Sequence, residues 1–156
     1  MFSFLKNLIK MIVIHLPGKP GFVLRNSYYK KKFKSLGKNF LVEPGVNIEG
    51  YEFIEIGDNV RIDRDCIIHS GKIKKKDNNY SLDNSKFNGE IGNIYIGDEV
   101  RVNARSSIYG YGGVKIGKLS VLAEGTKIFS STHIPFDPEK PNDKIFIKHS
   151  NNYENT

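Results

Sequence analysis

Aliphatic residues recur every six positions through the middle of the chain. One such run is followed by a second that starts two residues later: Ile96, Val102, Ile108 and Val114, then Ile116, Leu122, Ile128 and Ile134. A step of six fits neither a helix nor a simple hairpin strand. It is typical of parallel β-helices, in which three short strands form one triangular coil and successive coils stack about 4.8 Å apart. The spacing predicts coils of eighteen residues, three steps of six.

The same register extends toward the N-terminus, where the aliphatic positions are Val42, Ile48, Ile54, Ile56, Ile62 and Ile68. Coils begin with an Ile-Gly pair at residues 56–57, 96–97 and 116–117. We expect these glycines at corners, where a residue free of steric limits is needed. The pattern predicts a parallel β-helix over residues 41–134 that buries these aliphatic side chains: Ile56, Ile62, Ile68, Ile96, Val102, Ile108, Ile116, Leu122 and Ile128.

The repeat is interrupted between His69 and Asn93. Ile94 occupies the place expected for residue 74, so the interruption adds twenty residues. Its polar composition, rich in Asn and Ser, predicts a loop or loose hairpin that protrudes from a corner. Loops of this length inside a regular scaffold often carry function. Two interpretations stay open, a loop that contacts substrate and a loop without a role.

The N-terminal residues predict helices. Phe2 to Leu16 form an amphipathic pattern whose apolar face consists of Leu5, Leu8, Ile9, Ile12 and Leu16. This segment is too short, and too interrupted by lysine, to span a bilayer. It could lie in a membrane interface, or pack on the β-helix or on a neighbouring subunit. Residues 17–21, rich in Pro and Gly, end it, and residues 22–36 predict a second helix capped by Gly37.

These patterns divide the 156 residues into three parts. Residues 1–39 form an N-terminal helical segment, and residues 40–134 form the β-helix, with the loop insertion at 69–93. Residues 135–156 form a proline-rich loop and a polar tail. A chain of this length suits one β-helical domain.

Composition and charge narrow the class of partner. The net charge of +7 favours an anionic partner, such as phosphate groups, nucleic acid or a lipid surface. Basic residues cluster at 30–34 and 72–76, but no nucleic-acid-binding motif accompanies them, so we expect no nucleic acid partner. A solvated basic face is the alternative for each cluster.

The single cysteine, Cys66, excludes an internal disulfide and fits a reducing cytoplasm. Its inward position in the repeat predicts a buried structural thiol.

The Ile-Gly coils, the proline-rich loop after them and His133 within the sequence Ser-Ser-Thr-His-Ile-Pro resemble the hexapeptide-repeat acyltransferases. Residues 20–38 are similar to the branch that acylates bacterial polysaccharides and sugars, and the resemblance covers roughly residues 17–143. It implies an all-β fold, a left-handed parallel β-helix with a short N-terminal helical segment. It also implies a homotrimer that uses acetyl-CoA as co-substrate, bound between neighbouring subunits, and needs no metal.

The resemblance also implies two site residues. His133 matches the family's general base, which would take the proton from a sugar hydroxyl as that hydroxyl attacks the thioester; imidazole has a suitable pKa for this task. Asn103 precedes His133 by thirty residues, the family's separation, and is implied to hold the acceptor sugar. The alternatives are a loop histidine without a role and an asparagine that serves only turn geometry.

The leading hypothesis is therefore an acetyl-CoA-dependent O-acyltransferase. It would act on a hydroxyl of a sugar, polysaccharide or lipid-linked glycan precursor, in the cytoplasm or at the inner face of the membrane. Family members continue into further coils, often with a tryptophan motif, whereas this sequence has no tryptophan and ends at Thr156. The alternative is therefore a truncated, inactive β-helix remnant, with a binding role or none.

A metal-dependent hydratase on the same fold is a third hypothesis. Such an enzyme needs three histidines that converge on zinc and leave one position open. The candidates, His69, His133 and His149, lie on different segments without a spaced pair. The sequence therefore disfavours a metal centre.

Overall fold

The computed structural model describes residues 2–71, 90–133 and 147–148. Helices α1 (Phe2–His15) and α2 (Gly18–Lys30) come first. The strands that follow are β1 (Ser35–Leu36), β2 (Leu41–Val42), β3 (Asn47–Glu49), β4 (Ile54–Ile56), β5 (Arg61–Ile62), β6 (Ile67–His69), β7 (Ile94–Ile96), β8 (Arg101–Val102), β9 (Ser107–Tyr109), β10 (Val114–Ile116), β11 (Val121–Leu122), β12 (Lys127–Phe129), β13 (Thr132–His133) and β14 (Ile147–Lys148). A 3-10 helix, Tyr51–Phe53, precedes β4.

Strands β1 to β12 form three parallel sheets, the flat faces of a triangular solenoid. Each sheet takes one strand from each coil: β1, β4, β7 and β10 in the first, β2, β5, β8 and β11 in the second, β3, β6, β9 and β12 in the third. This arrangement confirms the predicted all-β, left-handed parallel β-helix with a short N-terminal helical segment. No strand among the described residues exceeds three residues, so the sheets depend on the stacking of coils.

The predicted coil length of eighteen residues is wrong, because each coil without an insertion contains twenty. Partners in neighbouring strands, such as Leu36 with Ile56 and Ile94 with Val114, are twenty residues apart. Ile54 and Ile56 lie on one strand and are both buried. The two-residue slip in the sequence pattern is therefore a strand with two inward side chains, and not the boundary between coils.

The core is a column of aliphatic side chains stacked between the three sheets. Of the nine predicted core residues, these are buried: Ile56, Ile62, Ile68, Ile96, Val102, Ile108 and Ile116. Leu122 and Ile128 are only half-buried, because they belong to the last coil that the structure describes. Full burial of each of these aliphatic side chains stabilises the folded state by about 1.5–3 kcal/mol.

Two corners of each coil use left-handed backbone at equivalent positions. The first corner has a positive φ at Asn39, Asn59, Glu99 and Leu119, and the second at Gly45, Asp65, Arg105 and Gly125. The glycines of the Ile-Gly pairs lie between strands, as predicted, but none has a positive φ, so the corner does not need their conformational freedom. Close packing explains two of them: a Cβ on Gly57 would lie 2.8 Å from the Asp98 nitrogen of the coil above, and a Cβ on Gly97 would lie 2.7 Å from the Lys118 nitrogen.

The insertion leaves the register intact. Ile54 pairs directly with Ile94, forty residues later, so twenty residues beyond one coil lie between these neighbouring strands. Most of the insertion, residues 72–89, lies outside the described residues. At its base, the Gly71 N–H donates a hydrogen bond to the Gly92 carbonyl at 2.8 Å.

The second helix differs from its prediction. It begins at Gly18, with Pro20 in its first turn, and ends at Lys30. Pro is tolerated there because the first turn of a helix lacks partners for its N–H groups. Leu36 lies in β1, and Gly37 follows that strand. Leu36-Gly37 is therefore one more Ile-Gly-like pair, and the first coil starts before residue 40.

Helix α2 closes the N-terminal end of the solenoid. Backbone hydrogen bonds run both ways between coils, from the Leu41 N–H to the Val60 carbonyl at 2.9 Å and from the Asn59 N–H to the Lys38 carbonyl at 2.8 Å. Carbonyls of the first coil that point away from the second coil need other donors. The buried Arg25 donates from Nε to the Val42 carbonyl at 3.1 Å, and the buried Tyr29 hydroxyl donates to the Val46 carbonyl at 3.1 Å.

Helix α1 packs on this end through few side chains. Among its described side chains, Val13 and Ile14 are buried, and the Ile14 carbonyl accepts the Gly45 N–H at 3.0 Å. The predicted apolar face is exposed at Leu5, Leu8, Ile9 and Ile12. The interpretation in which that face packs on the β-helix is therefore wrong. Within the described residues, neither helix has the length and apolar content to cross a membrane.

Close stacking of coils predicts that equivalent glycines differ in their tolerance of alanine. A Cβ on Gly97 would lie 2.7 Å from the Lys118 nitrogen, whereas a Cβ on Gly117 would approach only the Ser120 hydroxyl, at 3.9 Å. We expect Gly97→Ala to lower the free energy of unfolding by about 1–3 kcal/mol. The matched control, Gly117→Ala, should stay within about 0.5 kcal/mol of the wild type. Urea unfolding followed by circular dichroism measures both, and equal losses would contradict the stacking argument.

Candidate functional site

Asn103 lies directly after β8, at the start of the second corner. It is half-buried, and its N–H donates to the Leu122 carbonyl of the coil above at 3.1 Å. Its own φ lies outside the left-handed region, which Arg105 adopts two residues later with a φ of 59°. The corner therefore does not depend on an asparagine at this position, which weakens the alternative of a purely geometric role.

The backbone of Asn103 is also held from the coil below. Cys66 is buried, and its thiol donates to the Asn103 carbonyl at 3.2 Å. Burial raises the pKa of the thiol, so it stays protonated and able to donate. The predicted structural role of Cys66 agrees with this contact, which fixes the main chain beneath a candidate site residue.

A charged column lies below Asn103 on the same sheet. Ile62 pairs with Val102, so Asp63 and Asn103, the residues that follow them, stack in neighbouring coils. Asp63 is 7% exposed and accepts hydrogen bonds from Arg61 Nε at 2.6 Å and Arg101 Nη2 at 3.1 Å. The outer side of this corner is therefore an ordered network of side chains.

Asp63 is the central acceptor of this network. Burial acts to raise the pKa of its carboxyl group, but the hydrogen bonds and positive charges of Arg61 and Arg101 outweigh burial and lower that pKa. Arg61 also pairs with Glu43, through an Nη2 to Oε1 distance of 2.6 Å. Arg101 pairs with Asp63 while its side chain stays 49% exposed, so it offers a cation to solvent beside Asn103.

His133, the predicted general base, lies in β13, three residues after Ser130 and outside the regular coils. Its backbone pairs with Ile147 of β14 in an antiparallel arrangement. Asn103 lies between β8 and β9, and β9 pairs with β12, which precedes His133 in the chain. His133 therefore follows the coil that is next to the one containing Asn103. The side chain of His133 lies outside the described residues, so its approach to Asn103 stays a prediction.

The other histidines lie elsewhere. His69 is half-buried in β6, with Nε2 3.5 Å from the Asn47 side-chain nitrogen. His15 is exposed at the end of α1. His149 lies outside the described residues. In the parts of the chain that the structure describes, no three His, Cys, Asp or Glu side chains are close enough to hold a metal ion.

Sequence analysis missed an outward column of aromatic rings on the third sheet. His69 packs edge-on against Tyr109 at a centroid distance of 5.3 Å, and Tyr109 stacks parallel on Phe129 at 5.0 Å. The ring of Phe129 is 54% exposed. Such rings offer a flat apolar surface to a partner. The spacing of twenty between Tyr109 and Phe129 would have revealed the column, had the coil length been read correctly.

The three parallel sheets and the stacked Ile-Gly coils agree with the left-handed β-helix fold that the resemblance implied. No family model matches the chain. A curated relative is the dTDP-4-amino-4,6-dideoxy-D-glucose acyltransferase of Escherichia coli, 33% identical over 99 residues. That match covers 64% of this chain and 42% of the relative. The chain therefore spans less than half the length of this relative.

Solved structures with the same fold include AntD, an N-acyltransferase from Bacillus cereus. Its complex with dTDP and 3-hydroxybutyryl-CoA has a TM-score of 0.57 and 22% identity, covering 83% of this chain and 60% of that one. A mutant of AntD in complex with dTDP and coenzyme A has a TM-score of 0.58 at the same identity and coverage. At this identity, the likeness shows the fold alone.

The lowered pKa of Asp63 predicts a specific loss of stability in acid. The stabilising contribution of its carboxylate is present above the ordinary pKa of 3.8 and is lost as pH falls through the lowered value. Asp63→Asn should cost about 1–3 kcal/mol at neutral pH and flatten the acid decline of stability. Urea unfolding at neutral and acid pH measures this. The control is Glu99→Gln at an exposed corner, and an unchanged acid profile in Asp63→Asn would contradict the assignment.

Proposed function

We propose that this chain acts in acyl transfer from a coenzyme A thioester to a nucleotide-linked sugar. The observation that carries the proposal is its 33% identity, over 99 residues, to an acyltransferase named for a dTDP-linked amino sugar. The regular β-helix supports it, because AntD, a protein of the same fold, was solved with dTDP and coenzyme A. The match covers 42% of that relative, so the activity of the whole protein is itself part of the proposal.

The favoured acceptor is an amino group and not the hydroxyl predicted from sequence. Both comparisons point this way, because the relative is named for a 4-amino sugar and AntD is an N-acyltransferase. The hydroxyl acceptor remains the second candidate, supported by the thirty-residue separation of Asn103 and His133. The donor is proposed as an acyl-CoA. Acetyl-CoA is the simplest case, and AntD was solved with the 3-hydroxybutyryl thioester.

The proposed chemistry assigns one step to each candidate residue. The acceptor nitrogen or oxygen attacks the thioester carbonyl, the new bond to the acyl carbon forms, and the carbon–sulfur bond breaks to release coenzyme A. His133 takes the proton that the nucleophile loses, as a general base does, and that proton can pass to the departing thiolate. Asn103, held through its backbone by Leu122 and Cys66, orients the acceptor sugar.

The outer surface of the later coils suits an anionic donor and acceptor. The exposed cations there are Arg101, Arg105, Lys115, Lys118 and Lys127. They outnumber the exposed carboxylates of the same coils, Asp98, Glu99 and Glu124. Positive surface potential raises the local concentration of phosphate-bearing ligands. We also propose a homotrimer, in which the outer faces of neighbouring β-helices form the groove for these ligands.

The choice of acceptor can be tested directly. Purified protein is incubated with acetyl-CoA or 3-hydroxybutyryl-CoA and either dTDP-4-amino-4,6-dideoxy-D-glucose or its 4-hydroxy counterpart. We expect thiol release with the amino sugar and little with the hydroxy sugar. Release only with the hydroxy sugar would establish the O-acyltransferase instead. Absence of release with both, in a sample whose circular dichroism shows folded protein, would favour the inactive β-helix remnant.

The two site residues should differ in which kinetic constant they affect. His133→Ala removes the base and should lower kcat by about 10²–10⁴, with the KM for acyl-CoA little changed. Asn103→Ala removes a contact to the acceptor and should raise the acceptor KM by up to about tenfold, the usual worth of one hydrogen bond. The controls are His15→Ala and Asn7→Ala, both on α1. Near-normal turnover in His133→Ala would remove that residue from the mechanism.

A further inference from the structure

Most of the described apolar side chains of α1 are exposed, although Val13 and Ile14 pack against the protein. The exposed apolar side chains, called here the α1 face, are Phe4, Leu5, Leu8, Ile9, Met11 and Ile12. They are between 36% and 73% exposed. Asn7 and Lys10 line the groove between α1 and the first coil, together with Met11, Gly45 and Asn47. A helix on a globular domain normally buries its apolar side chains, so the exposed α1 face is suited to contact something other than water.

Helix α2 packs against α1 and adds to the exposed apolar surface. Its inner side is occupied by the end cap, with Gly21, Arg25 and Tyr29 buried. Val23 and Leu24 are 60% and 46% exposed. Both N-terminal helices therefore carry large apolar side chains that the described β-helix does not cover.

The charge of the chain is concentrated in the same segment. Residues 1–42 contain eight lysines and one arginine and no acidic residue; the first carboxylate is that of Glu43. The remaining residues carry 15 basic and 17 acidic side chains. The whole positive excess of the protein therefore lies in the helical segment and the first strands of the β-helix.

We propose that the α1 face docks on the surface of an anionic phospholipid bilayer. An apolar helix face inserts at the boundary between headgroups and acyl chains, and nearby lysines are attracted to anionic headgroups. Fourteen residues are too few to span the hydrocarbon core, so the helix lies in the plane of the membrane. A second copy of the chain is a poorer occupant, because two segments without any carboxylate repel each other.

This docking brings the N-terminal end of the β-helix to the membrane. Helix α1 is joined to the first coil through the hydrogen bond between Gly45 and Ile14. The coils that carry Asn103 lie further along the solenoid, so the candidate site stays in water. The inference does not depend on the proposed acyl transfer, because it rests on the exposure and charge of residues outside the candidate site.

The test uses the full chain and vesicles of two compositions. One set is pure phosphatidylcholine, and the other contains about a third phosphatidylglycerol, so that only the second has an anionic surface. We expect co-sedimentation with the anionic vesicles, much weaker binding to the neutral ones, and a decrease at high salt. The double variant Ile9→Gln, Ile12→Gln keeps helix-forming side chains and should bind the anionic vesicles at least about tenfold more weakly.

A matched control replaces apolar residues that are even more exposed than Ile9 and Ile12 and lie far from α1. Leu119→Gln with Val121→Gln, where the wild-type side chains are 65% and 64% exposed, should leave vesicle binding unchanged. Circular dichroism verifies that both double variants are folded. Absence of binding to anionic vesicles, or equal loss in both double variants, would overturn the proposal. It would also be overturned if the protein ignores vesicles and forms an oligomer that only the Ile9/Ile12 variant dissociates, since a second copy would then cover the α1 face.

Discussion

Backbone hydrogen bonds between equivalent strands of successive coils are the constraint on which the rest of this structure depends. The strands have two or three residues, too few to form a stable sheet alone, so each coil exists only because another lies above or below it. A ladder that joins residue i to residue i + 20 makes every position repeat its environment along the axis. Buried aliphatics therefore stack on aliphatics, left-handed corners on left-handed corners, and the ring of Tyr109 on that of Phe129.

A ladder of this kind leaves backbone N–H and C=O groups unpaired at its two ends. At one end, side chains of the N-terminal segment form hydrogen bonds with carbonyls of the first coil. Arg25 and Tyr29 lie on one side of α2, four residues apart, and both donate to carbonyls of the first coil. Their burial follows from this task, since neither side chain would enter an apolar core without an acceptor. The opposite side of the helical segment keeps its apolar and cationic side chains in solvent.

The step of six was sufficient to predict the solenoid, its buried positions and the interruption after His69. It did not determine the coil length, because Ile54 and Ile56 are adjacent inward positions of one strand, and a sequence pattern cannot distinguish this from a new coil. The wrong coil length also concealed the first coil. The sequence pattern places Leu36-Gly37 at the end of a helix, whereas Leu36 lies in β1 and pairs with Ile56. For the site, a coil of twenty residues together with the twenty-residue insertion would have placed Asp63 beneath Asn103. The approach of His133 could not be predicted, because it follows the last regular strand and no repeat fixes its direction.

The corner after β6 has a consequence for how this protein can change over time. Gly71 and Gly92 meet through a hydrogen bond of 2.8 Å, and the strands on either side pair as if they were consecutive coils. The strand register of the solenoid is thus kept across the residues between these two glycines. Doubling the length of a flexible connection costs only about 0.6 kcal/mol in closure entropy. At this corner the sequence can therefore be exchanged or lengthened. A new binding surface can arise there while the buried column of aliphatic side chains stays the same.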